Sequence, residues 1–197
     1  YGKAYRFINL HVLPSWVPIL AKLIQDEPDI LVGAPVGFPG GGHTTQVKLA
    51  EAKQLLQDGV QEMDIVMNVG RFLSGDYDYV LDELRAITDV VAGRIPTKVI
   101  IEINVLTDDQ ILKACDLAIA SGASFVKTGT GWIVAPLDIK RIRMMKEHCG
   151  SAIKIKAAGG IRTLEDFLML VDLGVERMGI NTLSALNIVQ SLPQETD

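Results

Sequence analysis

Two lysines and one aspartate occupy equivalent places in three short apolar segments. They are Asp64 in EMDIVMNVG, Lys127 in FVKTGTG and Lys156 in IKAAGGIRT. A lysine attacks a carbonyl carbon only as the neutral amine, and lowering its pKa from about 10.4 to about 7 needs roughly 4–5 kcal/mol. A second ammonium group and partial desolvation provide such a shift. The set therefore indicates Schiff-base chemistry, with Lys127 as nucleophile, Lys156 as the neighbouring cation and Asp64 as the proton-transfer group. The alternative to a reactive site is that these three residues form buried salt bridges without reactivity.

Short β-branched segments alternate with longer amphipathic ones, as in consecutive βα units. The pattern predicts strands at about 6–12, 30–37, 61–68, 98–104, 124–129, 152–158 and 176–180. It predicts helices near 15–25, 44–58, 76–92, 108–120, 136–148, 163–173 and 182–190. Because no linker or low-complexity tract divides the chain, we expect a single domain over residues 1–197.

Several predicted strands are apolar on one parity and charged on the other, as Met63 and Ile65 alternate with Glu62 and Asp64. Charges in mid-strand are costly where helices cover both faces of a sheet. A closed barrel has a lumen that accommodates paired charges, so the pattern predicts an α/β fold of TIM type, a (β/α) barrel. Such barrels close with eight strands, and because seven are predicted we expect the first βα unit to be missing from this sequence. We also expect Lys154 to pair with Glu102 or Glu62 inside the lumen.

Composition restricts the class of protein. The chain has 197 residues, 48% of them hydrophobic, and a net charge of −5, which gives no basic surface for nucleic acid or an acidic membrane. No apolar run approaches the roughly 20 residues of a membrane span, and the first residues do not resemble a signal peptide. Cys115 and Cys149 lie in predicted helices, so we expect buried thiols, no metal site and a cytoplasmic location.

Eight segments, taken in order, extend over nearly the whole chain: VGFP (36–39), TQVK (45–48), EMDIVMNVG (62–70), GD (75–76), KVIIE (98–102), FVKTGTG (125–131), KAAGGIRT (156–163) and RMGI (177–180). Together these segments resemble the deoxyribose-phosphate aldolase family. The resemblance implies a cofactor-free class I aldolase that cleaves 2-deoxyribose 5-phosphate to acetaldehyde and glyceraldehyde 3-phosphate. It implies the same roles for Lys127, Lys156 and Asp64. A small phosphorylated sugar or aldehyde is then the substrate, and a homo-oligomer, dimer or tetramer, is expected.

The last two βα loops of a barrel are the usual place for a phosphate, because backbone N–H groups converge there. Gly159, Gly160, Asn181 and Thr182 occupy these loops, and Gly131 lies in the loop before them. The resemblance implies phosphate contacts at these positions, although the glycine pair also fits an ordinary strand-to-helix turn.

The chain departs from the family pattern at a few positions. His11 stands where many members have cysteine, and Trp132 stands where phenylalanine or lysine is usual. Ile103 replaces a common threonine, and Asn181-Thr182 replaces a serine pair. Two alternatives therefore remain open: an aldolase of the same mechanism for another hydroxy-aldehyde or keto substrate, and a sugar-phosphate-binding protein without catalysis.

Overall fold

The β-branched segments form seven parallel strands in a computed structural model that describes residues 1–192. Neighbours in the sheet follow the order of the chain, and every pair is parallel. The strands are β1 (Asn9–His11), β2 (Leu31–Val36), β3 (Glu62–Val66), β4 (Thr97–Ile100), β5 (Phe125–Lys127), β6 (Lys154–Ala158) and β7 (Arg177–Gly179). All seven predicted strands are confirmed, and each is shorter than predicted.

Helices connect the strands. They are α1 (Val17–Leu23), α2 (Thr45–Gln57), α3 (Val69–Leu73), α4 (Tyr77–Val91), α5 (Asp108–Ala120), α6 (Ile139–Cys149), α7 (Leu164–Asp172) and α8 (Thr182–Gln190), with 3-10 turns at Pro14–Trp16 and Ile103–Val105. The side chains of Thr107 and Thr163 accept hydrogen bonds from the first turns of α5 and α7, as threonine at an N-cap does. The short helix α3 was not predicted. Within residues 1–192, no helix has the length and apolar character needed to cross a membrane.

The two faces of each strand have different surroundings. Met63, Ile65, Val99, Val126 and Ile155 are fully buried in the apolar core. These residues alternate with the charged residues of the same strands, so the parity argument from the sequence is confirmed. The other face carries Glu62, Asp64, Lys98, Lys127 and Lys156, all of them buried as well.

The sheet curls so that residues from its first and last strands reach one pocket. His11 at the end of β1 and Asn181 after β7 line the same cavity as Lys127 of β5. In the described part of the chain, residues 1–192, β1 and β7 are the two edge strands of the sheet and do not pair with each other. The fold is therefore the predicted TIM-type (β/α) barrel, built here from seven strands and open between β1 and β7.

The expected partner of Lys154 was wrong. Lys154 is exposed, and its Nζ lies 5.6 Å from the centroid of the Phe125 ring. Glu62 instead accepts a hydrogen bond from Lys98 at 2.8 Å, and Glu102 accepts from Thr130. Lys98 takes the place expected for Lys154 because it lies on β4, the strand directly beside Glu62, whereas Lys154 lies on β6.

Candidate active site

Asp64 is fully buried and joins the two candidate lysines, which line the pocket although Asp64 itself does not. Its Oδ2 atom accepts hydrogen bonds from Lys127 Nζ at 2.8 Å and from Lys156 Nζ at 2.9 Å. The two lysines are register partners on neighbouring strands, and Asp64 reaches them from β3 across the curled face. All three side chains are at least nine-tenths buried. The structure thus brings the three predicted residues together around one oxygen atom.

A second layer of charge lies beneath this group. Lys98 Nζ donates to Glu62 Oε2 at 2.8 Å and lies 3.2 Å from Asp64 Oδ1, an ion pair whose angle falls outside hydrogen-bond geometry. Asp64 and Lys98 are register partners on β3 and β4. Asp64 therefore contacts three ammonium groups, and Glu62 supplies a second carboxylate to the buried cluster.

The surroundings shift the pKa values of this cluster in opposite directions. Burial alone would raise the pKa of Asp64, but the charges of Lys127, Lys156 and Lys98 together hold it well below its usual range. Burial, together with the charges of Lys127 and Lys98, lowers the pKa of Lys156 to about 8, although Asp64 opposes the shift. Because the two amines donate to the same carboxylate oxygen, the positive charge of one disfavours a positive charge on the other. The cluster holds a stable carboxylate beside an amine that loses its proton near neutral pH.

His11 faces the same group from β1. Its Nε2 atom lies 3.7 Å from Asp64 Oδ2, too far for a hydrogen bond, and 26% of the side chain is exposed. Burial, and then the nearby lysine charges, lower the pKa of His11 to about 3 even though Asp64 acts in the opposite direction. The imidazole is therefore neutral at pH 7. It offers a hydrogen-bonding nitrogen to the pocket without adding a charge.

The pocket has a volume of about 280 Å³ and contains most of the predicted phosphate-binding residues. Lys127 and Lys156 line it together with Gly131, Gly159, Gly160 and Asn181. Thr182 does not line it; this residue is exposed and begins α8. Four of the five predicted binding positions are thus brought to the wall of one pocket that has the lysine pair at its floor.

The glycines and the asparagine serve different purposes. Gly131 and Gly159 have φ values of 80° and 93°, which glycine adopts more readily than other residues. A Cβ added to either would meet nothing within 4 Å, so the space beside these turns is open. A Cβ on Gly160 would lie 2.3 Å from the backbone nitrogen of Leu137, so this glycine is required for packing. Asn181 Oδ1 accepts from Ser184 N at 3.0 Å and caps α8. The Asn181 side chain therefore caps α8, and the backbone of Asn181 is the part that remains to contact a ligand.

Sequence reasoning missed two polar side chains on the pocket wall, Thr130 and Arg162. Arg162 follows Gly159-Gly160 after one intervening residue, Ile161, in the turn after β6 and is exposed. An exposed arginine beside two glycine turns is a signal for an anion site, because its guanidinium donates several hydrogen bonds in a fixed plane. Thr130 and Arg162 both lie in segments that resemble the family pattern, so the sequence contained a signal for them.

The model of one family, DeoC/LacD family aldolase, matches residues 23–191. The chain belongs to this family of aldolases. Deoxyribose-phosphate aldolase of Rhizobium meliloti (strain 1021) is 47% identical over 184 residues, which cover 93% of this chain and 74% of that protein. The enzyme of Klebsiella pneumoniae is 40% identical over 98% of this chain and 78% of its own length. This member of the DeoC/LacD family is accordingly a lyase that acts on carbon–carbon bonds.

A solved structure agrees with the family assignment and the fold. The tetrameric deoxyribose phosphate aldolase from Aeropyrum pernix superposes with a TM-score of 0.85 at 26% identity, over 96% of this chain and 79% of that one. The TIM-barrel architecture of this DeoC/LacD aldolase is therefore shared with an experimentally determined relative.

Proposed function

We propose that the chain cleaves 2-deoxyribose 5-phosphate to acetaldehyde and glyceraldehyde 3-phosphate through a Schiff base on Lys127. The observation that carries the proposal is the shared oxygen of Asp64, which holds the amines of Lys127 and Lys156 side by side at the floor of the pocket. A lysine whose neighbour is a second cation inside a water-poor site is an activated nucleophile. The relatives named above bear the name of this activity.

The reaction follows from the properties of the amine and the carboxylate. The neutral amine of Lys127 adds to the C1 aldehyde carbon, and loss of one water gives a protonated imine. A water molecule takes the C3 hydroxyl proton, C3 becomes the carbonyl carbon of the leaving aldehyde, and the electron pair of the broken C2–C3 bond moves towards the imine nitrogen. Glyceraldehyde 3-phosphate leaves and an enamine remains on Lys127. Protonation at C2 and addition of one water release acetaldehyde and the free amine. Asp64, which is ionised in the resting site, accepts and returns protons at the lysine nitrogens.

The opposite end of the pocket suits the phosphate. Open glycine turns at Gly131 and Gly159 allow close approach of an anion to backbone N–H groups. Arg162 adds a guanidinium that can bind two phosphate oxygens together. The lysine pair and these groups line one cavity, so a short phosphorylated sugar reaches both.

Reductive trapping tests this proposal. The protein is incubated with acetaldehyde or 2-deoxyribose 5-phosphate, reduced with borohydride and mapped by peptide mass spectrometry. We expect one reduced adduct on Lys127, and none in Lys127→Ala, which should also lose turnover by several orders of magnitude. An adduct on Lys156 would show instead that Lys156 is the nucleophile and Lys127 the neighbouring cation. Sugar phosphate binding without any adduct would indicate a non-catalytic protein.

The same proposal includes assembly into a homo-oligomer. The Aeropyrum pernix relative is described as tetrameric. Large apolar side chains on α7 and α8 are exposed in this chain, among them Leu168 and Leu183. Apolar patches of this kind mark interaction surfaces, and a second copy of the chain is the partner that we propose.

A further inference from the structure

Glu102, at the end of β4, has an unusual backbone conformation. Its φ and ψ angles are 56° and 64°, in the left-handed region that residues with a Cβ disfavour. Arg6 and Ala92 are the other two non-glycine residues with positive φ in the part of the chain that the structure describes. Unlike those two, Glu102 has a side chain that is directed into the protein, and the residue is only 6% exposed. Strained conformations of this kind persist where the surrounding contacts require them.

The Glu102 carboxylate holds the start of the loop that follows β5. Its Oε2 atom accepts one hydrogen bond from the backbone N–H of Thr130 at 3.1 Å and a second from the Thr130 hydroxyl. The Thr130 oxygen in turn accepts from the backbone N–H of Trp132 at 3.1 Å. Two backbone amides and one hydroxyl of a three-residue segment therefore depend, directly or through Thr130, on one carboxylate from another strand.

This segment, residues 129–132, is called the pocket loop below. Thr130, Gly131 and Trp132 all line the pocket, whereas Glu102 does not. The ring of Trp132 is 66% exposed and makes an edge contact with Phe38, with 5.5 Å between ring centroids. Gly131 and Trp132 of this loop are exposed, whereas Gly129 is buried. The hydrogen bonds to Glu102 and the contact with Phe38 therefore determine where the pocket loop lies.

The second carboxylate oxygen of Glu102 fixes the side chain from the other side. Oε1 is buried, and no residue among 1–192 gives it a hydrogen bond. A Cβ added to Gly129 would lie 2.8 Å from this oxygen, so the carboxylate packs directly beneath the loop backbone. Gly129 is thus required for the close approach of the Glu102 carboxylate to the loop backbone.

We propose that Glu102 is a positioning residue that holds the pocket loop in the conformation that binds the end of the substrate remote from Lys127. The inference rests on the proposed function for the identity of the substrate. Glu102 acts through Thr130 and contacts no reacting atom. Its loss should weaken binding of a long substrate and leave the chemistry at Lys127 much less affected.

The test compares KM for 2-deoxyribose 5-phosphate with the rate of borohydride trapping by acetaldehyde, which lacks the phosphate-bearing part of the sugar. Glu102→Leu and Thr130→Val each remove charge-assisted hydrogen bonds, so each should raise KM about tenfold. Trapping with acetaldehyde should change far less than KM. Glu102→Gln keeps an acceptor oxygen and should lie between the wild type and Glu102→Leu. Because both residues act in one relay, the double variant should be no worse than the poorer single variant.

Glu176→Leu is the matched control. Glu176 also accepts a hydrogen bond from a backbone amide, that of Ile155 at 2.9 Å, but it precedes β7 and does not line the pocket. It should leave KM unchanged. Unaltered KM in Glu102→Leu, equal losses of KM and trapping, or additive effects in the double variant would each overturn the positioning role. If Glu102→Leu does not fold, the comparison of Thr130→Val with Thr130→Ser decides, since serine retains the hydroxyl. Failure of acetaldehyde to label the wild type would instead contradict the proposed function.

Discussion

A carboxyl group without exposed surface is protonated in an apolar interior, unless nearby cations stabilise its charge. Asp64 is in this position, and the ammonium groups of Lys127, Lys156 and Lys98 lie within 3.2 Å of its oxygens. The same contacts hold three cations close together, which is unfavourable for all of them. Burial and this repulsion lower the pKa of Lys156 to about 8, so neutral amine begins to form in the cluster near neutral pH, and a neutral amine is the species that attacks a carbonyl.

The pH dependence of the reaction tests this account of the lysine pair. The pKa of Lys156 is lowered to about 8, so a neutral amine appears in the pair as pH rises through that value. We expect kcat/KM of the wild type to rise with pH up to about 8 and then level off. Lys156→Leu removes the cation that repels the ammonium form of Lys127, so activity at pH 7 should fall at least tenfold and recover only at more alkaline pH. Lys154→Ala, on the same strand but exposed, is the control. A variant profile that keeps the inflection near pH 8 would contradict this role of Lys156.

The sequence was sufficient to predict the three central residues but not all of their partners. Asp64, Lys127 and Lys156 have the same strand parity and stand near strand ends, which places them in one lumen. The partner of Glu62 could not be predicted, because it depends on which lysine lies on the adjacent strand at the same height. That lysine is Lys98, the register partner of Asp64. Lys154 lies two strands further along the sheet, where its amine reaches solvent.

At the scale of elements, regular segments were predicted and irregular ones were not. Helices α5 and α7 begin at threonine caps that the sequence displays. Helix α3 has five residues and no periodicity that a sequence pattern could reveal. Strand β4 ends at Ile100, earlier than predicted, because the chain turns at Glu102 in a left-handed conformation. The hydrogen bonds to Thr130 that accompany this turn join residues distant in sequence, so no local pattern announces them.

Strand β4 also supports a prediction about stability. Lys98 and Glu62 are both buried, and removing one member of a buried ion pair leaves the other charge without compensation. Lys98→Met should therefore lower the free energy of unfolding by about 3–5 kcal/mol. Lys154→Ala should change it by less than about 0.5 kcal/mol, because Lys154 is exposed. Urea unfolding at pH 7 measures both variants. Similar losses of unfolding free energy in the two variants would show that the buried ion pair does not stabilise the fold more than exposed Lys154 does.

The pocket loop supports a prediction about substrate selectivity. Trp132 places an uncharged ring where a lysine would add a cation to the phosphate end of the pocket. One charge-assisted hydrogen bond contributes about 1.5–3 kcal/mol, so Trp132→Lys should increase the preference for 2-deoxyribose 5-phosphate over 2-deoxyribose roughly tenfold or more. The measurement is the ratio of kcat/KM values for the two substrates. Trp132→Phe retains an aromatic ring without charge and is the control. An unchanged ratio in Trp132→Lys would show that residue 132 does not determine phosphate selectivity.

At the scale of the whole molecule, the distribution of charge matters more than its sum. The chain carries a net charge of −5, which repels an anionic substrate from most of its surface. The pocket gathers Lys127, Lys156 and Arg162 at one end of the barrel. The local excess of cations opposes the net charge where a phosphorylated sugar must enter. Binding should therefore depend on the pocket rather than on long-range attraction.

The exposed apolar side chains of α7 and α8 support the last prediction, which concerns assembly. Leu168, Val171 and Leu183 are 47%, 47% and 75% exposed. A stable homo-oligomer buries about 1,200–2,000 Å² at each interface and places its large apolar side chains there. We expect light scattering coupled to size-exclusion chromatography to give two or four times the mass of one chain. Leu183→Asp should shift the mass towards the monomer, because a buried carboxylate without a partner is costly. Val47→Asp replaces an exposed valine of α2 and should leave the mass unchanged. A monomeric wild type at micromolar concentration would contradict the proposed assembly, and a stable oligomer that tolerates Leu183→Asp would place the interface elsewhere on the barrel.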